Sequence, residues 1–337
     1  MSVNKELDNK RVIVHIKNNR SGEPVFRTTS ERLERAMARH PLTADRVDVR
    51  IDWDLDHFDQ SMCDAEVLMT WDLPTRNLGV RAPKLRWIHI IGAGIEHLAP
   101  LDWLPAGMKM TNSSGIHAEK TREYVVMALH MLNCHVPKFM TDQRFGRWQA
   151  LYSTPIAGKT VAVIGVGKMG SVAASVGRSM GLRVIGIRRS GRPSRYVDRM
   201  YTPEYLETVL GEADFVILNV PLTTQTEGMI GAKQIAAMRT GAGLINLARG
   251  RVVDQQALMS ALERGWLSGA ILDVADPEPL PIDSPLWNTT NLMITPHVSS
   301  DDDVSYTDLT LDLLFHNLDR FMLGQRLKNT VRPRLGY

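Results

Sequence analysis

The sequence predicts an α/β protein of two domains, each a doubly wound parallel sheet. Three observations carry that prediction: a length of 337 residues, short apolar runs alternating with amphipathic stretches, and a restart of that rhythm near residue 160 behind a glycine-rich turn. At roughly 150 residues per domain there is room for about two cores without disulfides or metals. The 40 Lys and Arg against 37 Asp and Glu leave a net +3, with 44% hydrophobic and 23% charged residues. Such a balance is ordinary for a soluble globular chain and announces no nucleic-acid partner. Cys63 and Cys134 stand far apart without a CxxC, which fits a reducing compartment and excludes a cysteine-built zinc site. No apolar run reaches the eighteen or so residues of a membrane span, and Met1 to Asp8 lack a signal-peptide core, so no membrane partner and a cytoplasmic location are expected.

In chain order, Arg11 to Lys17, Glu66 to Thr70 and Arg86 to Ile91 read as strands between charged amphipathic stretches. Residues 118 to 140 form one long helical pattern, with Tyr124, Val125, Ala128, Leu129 and Leu132 at helical spacing. The second series runs through strands Thr160 to Ile164, Leu182 to Ile187, Asp214 to Val220, Gly243 to Leu247, Gly269 to Val274 and Asn291 to Thr295. Helices are expected up to Met180, near 203 to 210 and over Asp254 to Arg264. A last helix is expected over Asp301 to Leu323. Its first turn would be Asp301, Asp302 and Asp303, capped by Ser299 or Ser300; no paired histidines accompany those acids, and no metal site is expected.

Gly165, Gly167 and Gly170 form a GxGxxG directly after the apolar strand Val161 to Ile164 and ahead of a run of helix formers. The first glycine permits a tight turn, the second lets backbone approach a pyrophosphate, and the third lets the helix pack close to the sheet. Gly165, Val166, Gly167, Lys168, Met169 and Gly170 are therefore candidate cofactor residues at a helix N-terminus that offers N–H groups to phosphate. About twenty residues on, the sequence reads Arg188, Arg189 and Ser190 where an acid would accept the ribose hydroxyls of NAD. Two guanidinium groups and a hydroxyl suit a 2′-phosphate, so NADP(H) is expected to be preferred, with NAD(H) possible.

Three further segments place reactive side chains at the carboxyl ends of strands, where open α/β sheets bind ligands. They are Leu244 to Asp254 around Arg249, Leu272 to Leu280 around Glu278, and Ile294 to Ser299 around His297. With Gly165 to Gly170, Pro221 to Thr223 with Thr226, the turn Ile91 to Gly94 and the closing segment Asn317 to Tyr337, the chain resembles the D-isomer-specific 2-hydroxyacid dehydrogenase family over nearly its whole length. The resemblance implies two Rossmann-like or flavodoxin-like domains around an interdomain cleft, and a homodimer using the long helix after residue 118. It implies a discontinuous substrate-binding domain, residues 1–112 and 299–337, and a dinucleotide-binding domain, residues 113–298.

It also implies a catalytic Arg249, Glu278 and His297. Reduction of a 2-oxo acid needs a proton at the carbonyl oxygen, which an imidazolium supplies near neutral pH. A carboxylate beside it favours the charged ring. The planar fork of Arg249 suits the substrate carboxylate. Asp273 is expected to face the nicotinamide, Pro221, Thr226 and Ala248 to lie along the cofactor, and the N–H groups of Ala93 and Gly94 to hold the substrate carboxylate, while Trp71 either walls the pocket or packs into the core. Ala275 departs from the bulky aromatic common in the family, and Ser299 and Ser300 from its small Gly and Ala residues. The expected activity is reduction of a small 2-oxo acid such as glyoxylate or hydroxypyruvate. A nucleotide-sensing binding protein, like the corepressors of the same family, is the other reading.

Overall fold

A computed structural model describes residues 11–333. The chain divides into two compact units, one running up to His117 and resuming at Asp302, the other Ala118–Asp301. Both crossings lie a few residues beyond the boundaries expected from sequence. His117 stacks on Tyr306 at 3.9 Å between ring centroids, which binds it to the first unit.

The first unit holds a five-stranded sheet of β1 (Val12–Asn18), β2 (Val47–Trp53), β3 (Val67–Thr70), β4 (Trp87–Ile90) and β5 (Lys109–Asn112), all parallel in the order β2-β1-β3-β4-β5. That order is flavodoxin-like, with its reversal between β1 and β3. β2 and β5 were not foreseen. In β2 every second residue is charged (Asp48, Arg50, Asp52), as a half-exposed edge strand allows.

The second unit holds seven strands: β6 (Thr160–Ile164), β7 (Arg183–Ile187), β8 (Arg199–Tyr201), β9 (Phe215–Leu218), β10 (Gly243–Asn246), β11 (Gly269–Leu272) and β12 (Leu292–Ile294). They run parallel in the order β12-β11-β10-β9-β6-β7-β8, the doubly wound Rossmann arrangement. Successive side chains point to opposite faces, and both faces are dry. Ala162, Ile164, Val216, Leu218 and Leu244 pack into one core; Val161, Val163, Ile217, Ile245 and Ile271 pack into the other. That double burial explains why these strands read as unbroken apolar runs. β8, three residues long, is too short to show a pattern.

Two expected helices differ. The pattern over 118–140 breaks into Ala118–Asn133 and Val136–Arg144. His135 takes a left-handed φ of 57° and Pro137 enters the second helix at its start, where its missing N–H costs nothing. The last helix begins at Tyr306 rather than Asp301. Asp302 stands outside it, its Oδ1 accepting from the N–H of Val304 at 3.0 Å and of Ser305 at 2.5 Å. Ser299 gives its N–H to Asp273 and caps nothing.

Candidate active site

The switch point of the second sheet lies at the carboxyl ends of β6 and β9, and the GxGxxG turn opens there. Gly165 has φ +96°, and a Cβ would stand 2.7 Å from the carbonyl oxygen of Asn219. At Gly170 a Cβ would meet the Gly165 carbonyl at 2.1 Å, so only glycine lets this helix start so close to the turn. At Gly167 a Cβ would meet nothing within 4 Å: that glycine keeps an open face. The helix Lys168–Ser179 begins there without a side-chain cap, so its first-turn N–H groups suit an anionic ligand. The open face and the uncapped helix fit a dinucleotide pyrophosphate. Val166 differs from its neighbours. It is buried and packs towards Gly186, while Lys168 is exposed and Met169 half-buried.

Arg188, Arg189 and Ser190 follow β7 directly, the last two exposed. Pro221 and Thr226 sit in the loop after β9. Thr226 Oγ1 donates to the Pro221 carbonyl at 2.6 Å and accepts from the N–H of Thr223 at 2.9 Å, closing that loop on itself. Ala248 is buried, its N–H held by Asn246 Oδ1 at 3.0 Å.

Arg249 follows β10, in extended backbone. The buried Asn246 shapes its turn, since Asn246 Nδ2 donates to the Arg249 carbonyl at 3.0 Å. Sequence reading missed Asn246, although Asn at a strand end is a known turn former. Gly250 comes next, where a Cβ would stand 2.0 Å from the carbonyl oxygen of Ala275. That approach brings the Arg249 turn against the turn bearing Glu278. Gln255 fixes the latter, its Nε2 donating to the Asp276 carbonyl at 2.7 Å and its Oε1 accepting the Asp276 N–H at 3.1 Å.

Glu278 and His297 meet. His297 Nδ1 lies 2.9 Å from Glu278 Oε2, and Glu278 Oε1 accepts from the N–H of Ala275 at 2.9 Å. The hydrogen bond to Glu278 raises His297 above the ordinary imidazole range, against burial and the Arg249 charge, which both act to lower it. Burial acts to raise Glu278, but His297, the Ala275 N–H and Arg249 outweigh it and hold the carboxyl below its ordinary range. With Nδ1 engaged, Nε2 is the nitrogen that can meet a ligand.

His297 takes a left-handed φ of 56°, and Asp273 holds it there. The Asp273 carbonyl accepts the His297 N–H at 2.8 Å. Its carboxylate accepts from Thr295 Oγ1 at 2.7 Å, from Val298 N–H at 2.9 Å and from Ser299 N–H at 3.0 Å. Asp273 is 1% exposed. Asp273, expected from sequence to face the nicotinamide, thus holds the loop that carries His297. Tyr124, read from sequence only as core, extends this network through its hydroxyl, 2.6 Å from Thr295 Oγ1, and burial pushes its phenol up to about 12.

In the first unit, Ala93 is exposed and Gly94 half-buried. Trp71 lies over Gly92, where a Cβ would be 2.5 Å from the indole. Trp71 also stacks on His97 at 4.0 Å.

Fold and site define a two-unit α/β oxidoreductase with a nicotinamide-dinucleotide domain. Residues 126–299 match the family model described as D-isomer specific 2-hydroxyacid dehydrogenase, NAD binding domain. The chain belongs to that family, whose members act on CH–OH donors. It is 32% identical over 278 residues to a glyoxylate reductase of Korarchaeum cryptofilum, covering 80% of this chain and 82% of the relative. Among solved structures it is similar to a D-isomer specific 2-hydroxyacid dehydrogenase from Xanthobacter autotrophicus in complex with NADPH and MES (TM-score 0.81, 29% identity, covering 97% of this chain and 100% of the other). It is also similar to an NADPH-dependent glyoxylate/hydroxypyruvate reductase from Sinorhizobium meliloti in complex with NADP and sulfate (TM-score 0.80, 26% identity, covering 97% and 100%).

Proposed function

We propose that the protein is an NADP(H)-preferring reductase of small 2-oxo acids, with glyoxylate and hydroxypyruvate the leading substrates. The observation that carries this reading is the 2.9 Å His297–Glu278 pair, which favours the charged ring. A bound dinucleotide supplies the hydride. His297 gives the Nε2 proton to the substrate carbonyl oxygen as charge develops there, and takes it back in the reverse direction. Glu278 orients the ring and keeps it charged through the hydrogen bond to Nδ1. Arg249 binds the substrate carboxylate and polarises the 2-oxo group. Ala93 and Gly94 are proposed as substrate-binding residues of the first unit. Arg188, Arg189 and Ser190 support the NADP(H) preference, because no acid stands there to repel a 2′-phosphate.

A homodimer is part of the proposal. Val126, Met127, Phe139, Met140, Phe145, Trp148 and Tyr152, large apolar side chains of the segment 126–152, are exposed, and such exposure supports an interface there.

The test is the initial rate of NADPH and NADH oxidation with glyoxylate, hydroxypyruvate, pyruvate, phenylpyruvate and 2-oxoisocaproate, for the wild type and His297→Ala. Turnover with NADPH that H297A abolishes while binding dinucleotide normally is expected. Tight dinucleotide binding without turnover of any acid refutes the reading and favours nucleotide sensing.

A further inference from the structure

Resting on the reading that the Ala93 and Gly94 N–H groups meet the substrate carboxylate, we propose that Asn112 and Asn329 are positioning residues that aim those two amides.

A trans peptide is planar, so its C=O and the following N–H point in opposite directions. The Gly92 carbonyl accepts the Ser113 N–H at 2.9 Å, which turns the Ala93 N–H away from β5. The Ala93 carbonyl accepts Asn112 Nδ2 at 2.7 Å, which turns the Gly94 N–H away likewise. Two successive amides therefore face the side opposite β5, the arrangement of an anion-binding nest. Among the described residues, neither N–H donates to a protein acceptor.

The Asn112 carboxamide is oriented in turn. Its Oδ1 accepts the Ser114 N–H at 3.2 Å, so its NH2 must face Ala93. Asn329 then clamps the backbone on either side, its Nδ2 donating to the carbonyls of Asn112 at 3.0 Å and Ser114 at 2.8 Å, while its own carbonyl accepts the Asn112 N–H at 3.2 Å. It reaches them because Thr330 bridges Thr111 in antiparallel fashion and the Val331 N–H donates to Met110. Asn329 has φ +57°, which Asn tolerates and most residues do not.

Ser113 is anchored from below. The indole of Trp87 only donates, so Thr111 accepts it at 2.8 Å and gives its own hydroxyl to His89 Nδ1 at 2.8 Å. His89 Nε2 then carries the proton towards Ser113 Oγ at 3.3 Å. The segment that turns both carbonyls inward is thus held on three sides.

The experiment compares the wild type with Asn112→Ala, Asn329→Gly and the double variant. Glycine keeps the left-handed backbone, so N329G removes the Asn329 side-chain bonds and leaves its backbone carbonyl on the Asn112 N–H. Each variant is expected to raise KM for glyoxylate roughly tenfold, the worth of about one hydrogen bond to a charged group, with kcat and NADPH Kd little changed. The double variant is expected to fall short of the sum of the two single effects, because Asn329 also holds the backbone from which Asn112 reaches Ala93. In parallel, the Ala93 and Gly94 N–H resonances of the full chain are followed during titration with oxalate; they should move in the wild type and move less in the variants. Unchanged KM, additive effects, or wild-type amides that ignore oxalate while turnover proceeds would overturn the inference and leave the reductase reading standing. Amides that respond to oxalate and depend on Asn112, in a protein that turns over no 2-oxo acid, would support the inference and refute that reading. Silence in both assays overturns both.

Discussion

Replacing Asp273 by Asn separates two accounts of that residue. Asp273 is buried, and its two oxygens accept three hydrogen bonds, from Thr295, Val298 and Ser299. An asparagine has one acceptor oxygen. If that oxygen keeps Thr295 and Val298, its NH2 faces the Ser299 N–H, donor against donor; the flipped amide loses the other two. The smaller loss is one charge-assisted bond and leaves a buried donor unpaired, together about 2–4 kcal/mol. For a domain of this size that lowers Tm by roughly 5–12 °C. Because the lost bonds hold the loop bearing His297 at φ +56°, kcat should fall as well, while the Kd for NADPH stays near the wild-type value. Calorimetry, a fluorescence titration with NADPH and steady-state rates read these three quantities. A variant with unchanged Tm and weakened NADPH binding would show Asp273 serving the cofactor directly and would refute the loop-anchor account.

Two further predictions follow from the charges. Glu278 raises His297, and reduction needs the protonated ring, so kcat/KM for reduction should hold at low pH and fall as pH rises through the folded-state His297 pKa. Glu278→Gln removes that support and should bring the fall to lower pH, as read from the pH profile; an unmoved basic limb would break the link between the pair and catalysis. Replacing Arg188 and Arg189 together by Ala should weaken NADPH at least tenfold, the scale of a lost phosphate contact, with NADH changed far less. Equal losses for both cofactors in a binding titration would reduce these arginines to surface charge.

The nucleotide turn was legible because its reasons are local: Gly165 and Gly170 meet atoms of neighbouring residues, and the apolar strand before them is written in consecutive letters. The order of Arg249, Glu278 and His297 could be read from family resemblance, and the alternation of strands and helices from hydrophobic period. The helix break at His135 was less legible, because apolar spacing continues across it and only Pro137 marks the change. β8 has too few residues to carry a pattern, and the start of the last helix turned on whether Asp302 closes a turn ahead of it or lies within it.

The sequence by itself determined two doubly wound sheets, a dinucleotide turn and the candidate reactive side chains, since these depend on hydrophobic period, on glycine where Cβ has no room, and on residue chemistry. Only the tertiary structure decided what holds them. Asp273 holds the His297 loop, Tyr124 joins it through Thr295, and Asn329 comes to Asn112 across more than two hundred residues. A hydrogen bond depends on where strand ends lie in space, and sequence spacing carries no record of that when the partners come from distant elements.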